Sequence, residues 1–161
     1  MKNLSDINVI RSVMGRHGVT FNKGLGQNFL VDPSVCPAMA DAAELDENTC
    51  AIEIGPGVGV LTAELAKRAG KVLSFEVDKR LLPVLNETLS DFNNVEIINE
   101  DVMKADLPKI IEEKCKGMGI AVVANLPYYI TSPIIMLLLE SKLPIKNITV
   151  MVQKEAADRL C

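Results

Sequence analysis

Tryptophan is absent, histidine occurs once (His17), and the aromatic side chains number six, two tyrosines and four phenylalanines. One histidine, with no cluster of cysteine and histidine, excludes a zinc site of the usual kind, so no metal is expected. The four cysteines, Cys36, Cys50, Cys115 and Cys161, are scattered without a CxxC pair. That pattern fits structural thiols in a reducing compartment, not a disulfide framework. Long apolar runs are missing too. The longest, Ile134 to Leu139, falls far short of the ~20 residues a membrane-crossing helix needs, so no membrane partner is expected. The amino end has no apolar signal region, which points to the cytoplasm. Nor is there a basic excess: the net charge is −4, the wrong sign for a surface built to neutralise phosphates.

What is present is 161 residues, 48% of them hydrophobic, enough for one domain with a sizeable core. The charge is unevenly placed. Lys2, Arg11, Arg16 and Lys23 face Asp6 alone within residues 1–31, giving a basic arm of +3 on a body of −7. From residue 50 onward apolar runs alternate with amphipathic stretches, the signature of βα units on a parallel sheet. Strands are predicted at 50–55, 71–76, 95–99, 119–125 and 147–152, with helices near 59–69, 79–91, 105–115 and 132–141. "IAVVA" and "ITVMV" are almost continuously apolar, as strands covered on both faces should be. Before residue 50 the spacing predicts a helix over 5–16, stopped at Gly15 or Gly18. A glycine-rich segment, Phe21 to Leu30, follows, then a helix over 33–44 with Pro33 in its first turn. The closing stretch "QKEAADRLC" looks like the start of a further helix, which suggests a fragment.

The first strand runs into Glu53-Ile54-Gly55-Pro56-Gly57-Val58-Gly59. Glycines at a strand-to-helix turn let a ligand approach the backbone. The dinucleotide spacing GxGxxG is not met, because its third glycine would fall on Val60 or Thr62. Two acidic residues stand at the ends of the next strands. Glu76 is where a carboxylate can accept both ribose hydroxyls. Asp101 can accept from an adenine amine, with Val77 and Val102 as apolar walls. Together they point to a bound nucleoside. A fourth strand end carries Asn125-Leu126-Pro127-Tyr128-Tyr129, an amide, a proline and the only two tyrosines. Tyr128 can stack on a base, which is worth ~1–3 kcal/mol, whereas Tyr129 reads as packing. The following "SPIIMLLLE" reads as a buried helix with Ser132 as cap and Pro133 in its first turn.

"EIGPGVGVLT", Glu76 and Asp101 at these intervals resemble the class I S-adenosylmethionine-dependent methyltransferases. The resemblance implies an α/β Rossmann-like three-layer fold with parallel strands in the order 3-2-1-4-5, and S-adenosyl-L-methionine as cofactor. It places Gly55 and Gly57 along the methionine part, Glu76 on the ribose and Asp101 on adenine N6. Glu53 lies near the cofactor's ammonium at longer range. Asn125 to Tyr128 matches the [N/D/S]-x-P-[Y/F/W] motif of amino-methyltransferases of nucleic acids. With "KGLGQNFL", "FEVD" and "NLPYYITSPII", the chain resembles the ribosomal RNA adenine N6-dimethyltransferases, the small-subunit enzymes more than the macrolide-resistance relatives.

By that resemblance, Asn125 and the Leu126 carbonyl accept the two N–H bonds of the target amine, Pro127 stiffens the turn and Tyr128 stacks on the base. Asn28 and Leu30, with Asn125, contact the cofactor; Gln27 is a weaker candidate. The implied organisation is an arm over 1–31 and an incomplete catalytic core over 32–161. Family members continue into a final strand pair and a C-terminal helical domain, both absent here. The implied partner is small-subunit ribosomal RNA in a pre-30S-type particle, met by a monomer. Two rival readings stand beside this one: a nicotinamide-dependent oxidoreductase, and an RNA-binding ribosome-assembly factor without turnover.

Overall fold

A computed structural model of the chain describes residues 3–20, 33–125 and 128–151, with the backbone alone at 128–131. Five parallel strands form one sheet in the order β3-β2-β1-β4-β5. They are β1 (Thr49–Ile54), β2 (Lys71–Phe75), β3 (Val95–Ile98), β4 (Gly119–Asn125) and β5 (Ile145–Met151). Among the described residues the helices are α1 (Ile7–Arg16), α2 (Val35–Ala42), α3 (Val60–Ala66), α4 (Leu82–Thr88), α5 (Leu107–Lys114) and α6 (Tyr128–Glu140). A single 3₁₀ turn, Lys79–Leu81, leads into α4.

Alternation along each strand divides the core. Ala51, Val72 and Val123 face a cluster built with Ile10 and Val13 of α1, Met39 of α2, Leu65 of α3 and Leu85 of α4. Ile52, Leu73 and Val122 face the other side, against Leu107 and Ile111 of α5 and Ile134 and Leu138 of α6. Helices therefore cover both faces, which is why β1 and the middle of β4 are buried throughout. The order predicted from sequence is the order observed.

Local chemistry sets the boundaries. Asp6, Asp78 and Asp106 each accept a hydrogen bond from a backbone amide of the following turn, capping α1, the 3₁₀ turn and α5. Pro83 and Pro108 sit in first turns, where the missing N–H costs nothing. Gly18, at φ +67°, ends α1, and the Val19 amide reaches back to the Met14 carbonyl at 2.9 Å. Gly15 stays inside the helix and does not stop it.

Several boundaries differ from the sequence reading, among them the starts of α2, α6 and β5. Helix α2 begins at Val35, so Pro33 precedes it. Helix α6 begins at Tyr128, three residues after β4 ends, so Ser132 is not its cap and Pro133 lies inside it. Proline there forgoes one bond, to the Tyr129 carbonyl, while Ile134 and Leu138 still bury their side of the helix. The rule that places proline at the first turn misled the reading. Strand β5 begins at Ile145, before the predicted 147, across an irregularity between Ile120 and Ala121. Just past it, Asn147 Nδ2 donates to the Ala43 carbonyl at the end of α2 at 2.9 Å.

Gly59 carries the tightest constraint in the glycine turn. Its φ is +94°, and an added Cβ would lie 2.9 Å from Thr88 Oγ1 and 3.3 Å from Leu85 and Leu89 methyls. Gly59→Ala is therefore expected to lower stability by about 2 kcal/mol or more in urea unfolding. A loss under about 0.5 kcal/mol would contradict this packing.

Candidate active site

The candidate residues gather at the carboxyl ends of the central strands. Ile54, the last residue of β1, pairs with Phe75 of β2 and Ala124 of β4. Gly55, Glu76 and Asn125 are the next residues on their three strands, so they emerge side by side. Phe75 pairs with Ile98, which brings the segment after β3, with Asp101, to the same edge. This edge of an open α/β sheet, at the point where strand order reverses, is where such folds hold ligands.

The glycine turn is built from three left-handed residues, Gly55 at φ +75°, Gly57 at +59° and Gly59 at +94°. The Gly55 amide donates to the Phe75 carbonyl at 3.0 Å, which ties the turn to β2. From behind, Thr88 Oγ1 donates to the Val58 carbonyl at 2.9 Å. Gly57 differs from Gly59: a Cβ built on it meets nothing within 4 Å. Its open side, beside a buried carboxylate, is a cradle that a ligand can fill.

That carboxylate is Glu76, buried although it lies just past the strand. Its Oε2 accepts from the Asp78 amide at 3.1 Å, and the Gly57 and Val77 backbone beside it also favours the charged carboxylate. Burial raises its pKa, and these backbone donors pull the other way. Asn99 Nδ2 holds the Glu76 carbonyl at 2.7 Å and fixes the strand end. Asp101 Oδ1 accepts from the Met103 amide at 2.9 Å. Of the two proposed apolar walls, Val77 is 65% exposed, a large aliphatic group standing in water, whereas Val102 is buried in the core. Met103, 42% exposed beside Asp101, is a further apolar group at this edge that the sequence reading missed.

Beneath the turn lies Glu53, 1% exposed. Its Oε1 accepts from Thr62 Oγ1 at 2.5 Å and from Ser74 Oγ at 2.7 Å. Its buried Oε2 has no hydrogen-bond partner among the described residues. Burial pushes the carboxyl up to about 7, the two hydroxyls oppose that rise, and the nearby Glu76 adds to it. Asn125 is similar: its Nδ2 is buried and without a partner among the described residues. Either assignment of the amide leaves one buried polar atom there for a bound group. Asn28, Leu30, Leu126 and Pro127, and the side chain of Tyr128, lie outside the described residues.

The residues present fit a nucleoside with an attached amino-acid chain. An open glycine supplies the close approach, Glu76 and Asp101 supply acceptors, and Asn125 and Glu53 supply polar atoms awaiting partners. Among the described residues, no group of three or more histidine, cysteine or acidic side chains could hold a metal ion. No helix among them is long and apolar enough to cross a membrane.

Residues 18–161 match the family model described as ribosomal RNA adenine dimethylase. The chain belongs to that family. It is 55% identical over 151 residues to the "Ribosomal RNA small subunit methyltransferase A" of Geobacillus sp. (strain WCH70), covering 93% of this chain and 52% of that one. The chain thus spans about half the length of the curated relatives it matches. Among solved structures, the 23S rRNA methyltransferase ErmE is 38% identical with a TM-score of 0.68, over 78% of this chain and 48% of that one. A dimethyladenosine transferase from Plasmodium falciparum is 30% identical with the same TM-score of 0.68, over 80% and 44%. The fold is that of the class I S-adenosylmethionine-dependent methyltransferases. Thr62, Ser74 and Thr88 were not read from the sequence of this dimethylase-family chain. Ser74 left a legible trace, a lone polar residue inside the apolar strand "VLSF" and in register with Glu53.

Glu53 makes stability depend on pH with a definite sign. Its folded pKa, about 7, lies above the ordinary 4.5, so the folded state holds the proton more tightly. The stability this group contributes is fully present below about pH 4.5 and is lost as pH rises to 7. Relative to wild type, Glu53→Gln is expected to gain about 3 kcal/mol between pH 4.5 and 8 in urea unfolding. A stability difference that stays flat with pH would contradict it.

Proposed function

We propose that this chain carries the catalytic core of an enzyme that dimethylates N6 of adenosines in a loop of small-subunit ribosomal RNA. The observation that supports this most is the register that sets Asn125 beside the glycine turn: Ala124 pairs with Ile54, and the next residues are Asn125 and Gly55. An acceptor amide and a cofactor turn thus share one sheet edge. Relatives at 55% and 56% identity are named for the small subunit, whereas the large-subunit enzyme ErmE stands at 38%. That contrast favours a small-subunit target; the proposal sets it in a pre-30S-type particle in the cytoplasm, met by a monomer.

When bound, S-adenosylmethionine supplies a methyl group on a positively charged sulfur. Gly55 and Gly57 line its amino-acid part, Glu76 accepts from the ribose hydroxyls, and Asp101 accepts from the adenine amine, with Val77 as a wall. Asn28 and Leu30 complete the cofactor contacts in this reading. The target amine is a poor nucleophile because its lone pair is delocalised into the ring. Asn125 and the Leu126 carbonyl accept its two N–H bonds and so favour a pyramidal nitrogen with a localised lone pair. Pro127 holds that carbonyl in place, and Tyr128 stacks on the base. Positioning and electrostatics of this kind supply several kcal/mol of a barrier. A target inside a duplex could not reach the pocket, so the adenosine lies in a single-stranded or splayed region. After one transfer a single N–H remains, and one of the two acceptors loses its partner.

The arm over 1–31 and the core over 32–161 form the working unit of this proposal. Asn125→Ala is expected to abolish methyl transfer to unmethylated small subunits, with only a modest loss of cofactor affinity. Turnover at the wild-type rate would remove the assigned role. Glu76→Ala is expected to weaken S-adenosylmethionine binding at least tenfold in calorimetry, and unchanged binding would reject the ribose contact.

A further inference from the structure

The hydroxyls on Glu53 come from two different elements and converge on one atom. Ser74 is in register with Glu53 across the β1–β2 pairing, and Thr62 is the third residue of α3, just after the glycine turn. Both are fully buried, and both donate to Oε1. Packing alone does not require two donors on the same oxygen. Their effect is to fix the carboxyl's rotation and to leave Oε2, buried and without a partner among the described residues, as its one available atom.

We infer that Ser74 and Thr62 are positioning residues for the cofactor: they hold Glu53 so that its Oε2 meets the ammonium of the cofactor's amino-acid part. This rests on the reading of the edge as an S-adenosylmethionine site. The groups facing Glu53 make its charge state responsive. From the end of β2, Glu76 adds charge of the same sign. Cys36 of α2 is also close, its thiol pushed up to about 12 by burial and then by Glu53 and Glu64 of α3. From β4 the paired residue is Val123, which is apolar. The two hydroxyls therefore work against burial and like charge to keep Glu53 ionised. An ammonium meets an anion best, so affinity should rise as pH climbs through the Glu53 titration. Removing a hydroxyl should move that rise to higher pH.

The test is calorimetry from pH 6 to 9 with two probes. S-adenosylhomocysteine has the ammonium, and 5′-methylthioadenosine keeps the nucleoside without it. Ser74→Ala is expected to weaken S-adenosylhomocysteine about tenfold at pH 7 and to shift its affinity rise upward by about one pH unit. Methylthioadenosine affinity should stay within about twofold. Thr62→Val carries the same test should Ser74→Ala fail to fold, and Thr62→Ser, which keeps the hydroxyl, should bind as wild type. Wild-type affinity and pH profile in the folded variants would overturn the inference. So would equal losses for both probes, which would mark a merely structural role. Failure of the wild-type chain to bind either probe would instead remove the cofactor reading itself.

Discussion

Strand β1 is hydrogen-bonded in register on both sides, and the rest of the site depends on that double pairing. Ile54 is level with both Phe75 and Ala124, so three chain segments leave the sheet at the same height. A slip of one residue would turn every side chain to the opposite face. It would take Glu53 out from under the glycine turn and move Asn125 away from Gly55. Burial makes such slips costly. Ala51 and Ile52 serve opposite cores, each packed by its own set of helices. The hydrophobic pattern of one strand thereby fixes the geometry of a polar site that contains almost none of it.

The polar side of the site runs against stability. Two carboxylates, Glu53 and Glu76, are buried close together, and burial raises the pKa of both. Three glycines adopt left-handed backbone angles in a span of five residues. The buried carboxylates are costly in a free protein and persist because neighbours hold them, Thr62 and Ser74 on Glu53 and the Asp78 amide on Glu76, while Thr88 on the Val58 carbonyl braces a turn whose angles only glycine adopts without strain. Polar atoms on Glu53 and Asn125 that lack a partner among the described residues complete the picture of a site shaped for a ligand.

The parallel strands and the residues at their ends were legible because they rest on period and spacing, and the order of the strands came from the family resemblance. Apolar runs such as "IAVVA" announce strands covered on both faces, and acidic residues at their ends fall where a nucleoside meets a switch point. What stayed hidden is tertiary. Nothing local separates Val77, left in water, from Val102, buried in the core. Thr62 and Thr88 act through partners 9 and 30 residues away in sequence. The start of α6 was misplaced because Pro133 mimics a first-turn proline, while the helix begins almost at once after β4. Asn28, Leu30, Leu126 and Pro127 remain proposals carried by the family motif.

The proposed function requires one sheet edge to hold the cofactor with its reactive end toward Asn125. A crystal structure of the chain with S-adenosylhomocysteine tests it most directly. The account predicts ribose hydroxyls about 3 Å from the Glu76 carboxylate, the adenine amine at Asp101, and the sulfur on the Asn125 side of Gly57. A nucleoside seated elsewhere, or reversed with its base toward Asn125, would contradict it.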